Sequence, residues 1–208
     1  MTIHPNSVMW SAPESERAAR PLLVLLHGYG SHEGDLFGLG PGLPLGPVIA
    51  SVRAPIELAP GMYSWFPLMS EAPTEEVGPN ADAAARSVLD WLDTVDSGPV
   101  HLLGFSQGGA MALQLLRMAP ERFASATVLA GFLAGVAHEG DAALAAAPPP
   151  VFYGRGTEDD RIDSARVDQL DAWLPGHADA TSRIYEGLGH SISHDELRDL
   201  NAFLAPLL

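Results

Sequence analysis

A series of short, largely apolar runs, at residues 22–26, 48–52, 100–103, 126–129, 150–153 and 182–185, constrains this chain more than any other feature. The runs are continuous rather than alternating, so each reads as a strand covered on both faces, the signature of a parallel sheet. Between them lie segments with helical periodicity, at 81–95, 109–118, 164–173 and 193–204. In the first, Val88, Leu89, Trp91, Leu92 and Val95 form an apolar stripe. The last opens with Ser193 and Glu196 in capping-box spacing. Strand and helix therefore alternate, which predicts an α/β doubly wound sheet with any ligand at the C-terminal ends of its strands. Segments 38–47 and 60–79, rich in Gly and Pro or lacking periodicity, read as ordered loops, and 141–150 as a short helix running into a strand.

Length and composition narrow the function. At 208 residues, 47% hydrophobic and 18% charged, the chain is expected to form one domain, residues 1–208. Its 26 acidic against 11 basic residues, a net charge of −15, disfavour nucleic acid and anionic lipid as partners. There is no cysteine, so thiolate metal sites and a cysteine nucleophile are excluded. Neither a leader pattern nor an apolar run of membrane-spanning length occurs, and the expectation is a cytoplasmic protein without integral membrane association. It would be a monomer or a homodimer.

Chemistry enters at Gly104-Phe105-Ser106-Gln107-Gly108, a G-x-S-x-G motif between the run at 100–103 and the helical stretch 109–118. At such a strand-to-helix turn the serine is forced into strained backbone, its hydroxyl is pushed outward, and the helix N-terminus favours an oxyanion. The backbone N–H of Gln107 is one expected oxyanion donor. The glycine-flanked loop His27-Gly28-Tyr29-Gly30 supplies the second from Tyr29. His27 itself is read as a residue that orders this loop. Past the next strands come Gly156-Thr157-Glu158-Asp159-Asp160 and Gly187-Leu188-Gly189-His190. Ser106, an acid and His190 thus follow the Ser–Asp–His chain order of an α/β-hydrolase triad. Of the three adjacent acids Asp159 is preferred, with Asp160 the alternative.

The other histidines carry less. His190 and His194 are four apart, but the Ser193 cap leaves only the second on the helix, against a zinc site. With no dinucleotide fingerprint and no phosphate-binding loop, neither cofactor nor metal is expected.

The set LLHGYGSHEGDL, YSWFPL, GFSQGGAMAL, GTED and GLGH closely resembles the phospholipase/carboxylesterase family of α/β-hydrolases, which includes acyl-protein thioesterases and small bacterial carboxylesterases. The resemblance covers nearly the whole chain. It implies an α/β-hydrolase fold, Ser106, Asp159 and His190 as catalytic residues, the amides of Tyr29 and Gln107 as oxyanion hole, and Trp65 and Phe66 as substrate contacts beside the acyl pocket. Asp159 matches the family's G-x-x-D spacing, although Asp160, Arg161 and Ile162 stand where the family commonly has Pro after the acid and Val two further on. The implied activity is hydrolysis of small carboxylic esters of short to medium acyl chain, or of acyl thioesters, through an acyl-enzyme. Alternatives are a non-catalytic binding module of the same fold, or lysophospholipid hydrolysis or perhydrolysis on the same triad. Only residues 131–149 separate the strand at 126–129 from the next, too few for a multi-helix cap, which implies an open site.

Overall fold

In the computed structural model, which describes every residue except 19, 69–73 and 136 and omits the side chains of 74–76, seven strands form the central sheet. They are β1 (Val8–Trp10), β2 (Leu22–Leu26), β3 (Val48–Val52), β6 (Val100–Phe105), β7 (Phe123–Leu129), β8 (Pro150–Gly156) and β9 (Asp179–Tyr185), in the order β1-β3-β2-β6-β7-β8-β9. All neighbours are parallel except β1, which runs antiparallel to β3. A separate hairpin, β4 (Ile56–Ala59) with β5 (Met62–Ser64), lies between β3 and the first long helix.

Every residue of β2 and β3 is buried, and the two faces explain why. Leu22, Val24 and Leu26 point into the larger core cluster, with Val88 of α2 (Thr74–Leu92), Leu115 of α3 (Gln107–Met118), Leu144 of α4 (Asp141–Ala146) and Leu170 of α5 (Ser164–His177). Leu23 and Leu25 point the other way, against Leu36 of α1 (Glu33–Phe37) and Leu200 and Leu204 of α6 (His194–Leu204). A strand sandwiched by helices has no solvent face, so alternation disappears from its sequence. The chain passes from β2 to β3 on one side and resumes with β6 on the other. The crevice between the C-terminal ends of β2 and β6 is therefore the topological switch point, where ligands of open α/β sheets bind.

The expected strands recur, most of them longer than their apolar runs. The loop reading of 60–79 is corrected: it holds β5 and the start of α2, seven residues earlier than the periodicity suggested. Pro79 lies inside the helix, where it forfeits one backbone bond while Val77 and Ala81 bury on the core side. Between β7 and β8 the described residues contain only α4 as a helix, so no large cap covers the strand ends.

Candidate active site

Three loops at the C-terminal ends of β6, β8 and β9 converge. Ser106 follows β6 with φ 56° and ψ −118°, a conformation side chains seldom adopt, and it stands as N-cap of α3. Its hydroxyl caps no helix amide. The oxygen lies 2.9 Å from His190 Nε2, and His190 Nδ1 lies 2.7 Å from Asp159 Oδ2. The other oxygen of Asp159 accepts from the backbone N–H groups of Arg161 (2.9 Å) and Ile162 (3.2 Å), which fixes the carboxylate. The Asp159 side chain is 7% exposed, whereas Asp160 is 88% exposed and turned to solvent, so the acid facing His190 is Asp159. The His190 ring also rests against Phe105, centroids 4.9 Å apart.

The turn works because of what it packs against. A side chain at Gly108 would meet the Leu26 carbonyl oxygen, so only glycine lets α3 start this close to β2. The loops bearing Asp159 and His190 are laced by backbone bonds from Thr157 to Tyr185 O (3.0 Å) and Glu158 to Leu188 O (3.0 Å), and by Gly187 N to Thr157 Oγ1 (2.9 Å). A side chain at Gly156 would strike the Leu188 carbonyl.

A side chain at Gly28, before Tyr29, would come into contact with Ser106 Cβ, so the loop after β2 runs close beside the serine turn. His27 is fully buried. Nδ1 meets Gly28 O at 2.8 Å and Nε2 accepts the Ala54 N–H at 3.1 Å, so the ring ties this loop to the end of β3. Burial pushes its pKa down, keeping the imidazole neutral as the accepting nitrogen requires. This agrees with the loop-ordering role read from the sequence.

The Gln107 side chain makes structural contacts that sequence reasoning missed. It is buried, accepts from Trp65 N–H at 3.0 Å and donates to Phe66 O at 2.7 Å, and Trp65 Nε1 donates to His27 O at 2.9 Å. Through these bonds the residue after Ser106 holds the segment after β5, which in turn holds the β2 loop. The one available signal was a long amide beside three glycines at a buried helix start. Trp65 and Phe66, expected as substrate contacts, are 0% and 1% exposed and belong to the large core cluster. That expectation is corrected: both rings pack inward, and what they offer the site is backbone.

Beneath the histidine loop, Ser193 Oγ accepts from Glu196 N–H at 3.1 Å and caps the start of α6. The Glu196 carboxyl is buried against Gly154, and burial pushes its pKa up to about 7. Beside Asp159 a cavity of ≈ 300 Å³ opens, lined by Ala130, Gly131, Tyr153, Arg155, Ile162 and Val167 among others. Among the described residues no group of three His, Asp or Glu side chains is placed to hold a metal, and no helix is long and apolar enough to cross a membrane.

A strained serine hydrogen-bonded to a histidine that is itself oriented by a buried carboxylate, on a mostly parallel sheet, is the arrangement of a serine hydrolase of α/β-hydrolase fold. Residues 11–208 match the phospholipase/carboxylesterase family, and the chain belongs to that family of hydrolases. It is 29% identical to the crystallised esterase PE8, with all of both chains covered and a TM-score of 0.79. It is also 25% identical to acyl-protein thioesterase 1 of Kluyveromyces lactis, over 91% of this chain and 93% of that one. An uncharacterized hydrolase of Mycosarcoma maydis is 29% identical over 50% of this chain, a match that spans 44% of that relative's length.

Proposed function

We propose that this chain hydrolyses small carboxylic esters, of short to medium acyl chain, or acyl thioesters, through an acyl-enzyme on Ser106. The observation that carries the reading is the hydrogen-bond relay from Ser106 through His190 to Asp159, at 2.9 and 2.7 Å. His190 Nε2 takes the hydroxyl proton as Ser106 Oγ attacks the carbonyl carbon. Asp159 accepts the Nδ1–H and stabilises the imidazolium. The tetrahedral oxyanion is received by the backbone N–H groups of Tyr29 and Gln107. His190 then returns the proton to the departing alkoxide or thiolate, leaving the acyl group on Ser106. A water deprotonated by His190 releases the acid and regenerates the serine. The open strand ends suit small dissolved esters in the cytoplasm.

A fluorophosphonate probe tests this: it labels the native protein and leaves Ser106→Ala unlabelled. Folded native protein that neither labels nor turns over nitrophenyl esters of two to eight carbons, nor an acyl thioester, refutes the proposal.

A further inference from the structure

The sheet has two edges of very different character. At one, β1 is three residues long and the Arg17 guanidinium lies over its Trp10. At the other, β9 pairs with β8 over seven residues with no register shift, contains no proline, and is exposed or half-exposed throughout. Proteins usually blunt a long regular edge strand, because its unpaired N–H and C=O groups are a template for another strand.

The backbone defines which groups are free. Asp179 N donates to Pro149 O and Tyr185 O accepts from Thr157 N, so the odd-numbered residues of β9 turn their N–H and C=O toward β8. Both groups of a strand residue point the same way and alternate along the chain. Those of Ala180, Ser182 and Ile184 therefore point outward.

The geometry points to a two-fold homodimer in which β9 pairs antiparallel with β9 of a second copy, centred on Thr181. In that register Ala180 stands opposite the partner's Ser182, and these two outward-facing residues exchange both N–H···O bonds. Thr181 faces the partner's Thr181 across a non-hydrogen-bonded position, and Asp179 faces the partner's Arg183. The two-fold axis repeats that pair, so the strand is complementary to itself in charge as well as in hydrogen bonding. The Arg183 side chain is 53% exposed; its NH1 donates to Ser182 O at 3.0 Å, leaving that carbonyl's second lone pair for the partner's Ala180 N–H, and its Nε lies 4.0 Å from Asp199. Ile184, 58% exposed, lies opposite the partner's Ala178. Two chains of charge −15 repel at long range, so short-range pairing at this edge has to hold the assembly.

Sedimentation over nanomolar to tens of micromolar protein, at physiological salt, tests the register. The native chain is expected to move from 22.0 kDa to twice that mass with concentration. Asp179→Arg or Arg183→Asp alone opposes like charges twice and weakens dimerisation about tenfold or more, and the double exchange restores it. Ser182→Pro removes an outward N–H that β8 does not use and abolishes the dimer while leaving the fold, checked by circular dichroism, intact. A native chain that stays at 22.0 kDa throughout, single reversals that dimerise as tightly as native, or a double exchange that recovers nothing, each overturns the proposal; should Ser182→Pro fail to fold, the charge exchange decides.

Discussion

The two halves of the site are built differently. Ser106 and the loop after β2 sit at the middle of the sheet, on strands with almost no exposed residue, and buried hydrogen bonds from Gln107, Trp65 and His27 lock them. Asp159 and His190 hang from β8 and β9 at the sheet's edge, where the supporting strand is largely exposed and the loops are held by a few backbone bonds. In the proposed mechanism the nucleophile and the oxyanion donors have to be preorganised to fractions of an ångström against a developing charge. The base has to deliver and return a proton, and a relay of two hydrogen bonds suffices to orient it.

The sharpest way to break the comparison is chemical. Ser106→Ala should lower kcat by about 10⁵ or more in a nitrophenyl ester assay, the loss expected when the nucleophile of a triad is removed. On the edge side, Asp159→Asn is expected to lower kcat by about 10⁴ with KM little changed, because the imidazole loses its tautomer partner. Asp160→Asn should leave both constants within about twofold, since a surface carboxylate contributes little. Loss at Asp160 rather than Asp159 would reverse the acid assignment.

Gln107→Met tests the central side more finely. The apolar replacement keeps the length and the backbone N–H but abandons the Trp65 and Phe66 bonds, and a buried donor and acceptor lose their partners at about 1–3 kcal/mol. A drop in kcat of about ten- to a hundredfold with a much smaller change in KM is expected, along with slower phosphonylation by the fluorophosphonate. An unchanged rate would mean that the clamp does not position the oxyanion donors.

A stability measurement, rather than a rate, probes Glu196, beneath the edge half. Its pKa, ordinarily 4.5, is raised to about 7 by burial, so the folded chain holds a proton that the unfolded chain has released across that interval. The stabilisation is complete below about pH 4.5 and is lost as pH rises to about 7 and beyond, by on the order of 3 kcal/mol. Glu196→Gln should flatten this part of the stability curve in urea unfolding at pH 5 and pH 8. A native curve already flat over that range would show that the carboxyl is not held protonated.

Much of this arrangement was legible in the amino-acid order. Continuous apolar runs marked the parallel strands because helices cover both faces. The glycines around Ser106 marked the turn because backbones approach too closely for a side chain. Asp159 and His190 could be paired with Ser106 because α/β topology sends the C-terminal ends of the parallel strands to one rim. Other features were decided by tertiary contacts alone. Trp65 and Phe66 lie in a segment without periodicity, and only packing shows that their rings face the core. Glu158, Asp159 and Asp160 are equivalent as a string. The loop's path turns one inward onto His190 and leaves Asp160 in solvent, and a side chain's direction off an irregular loop is fixed by what surrounds it, not by its neighbours in the chain.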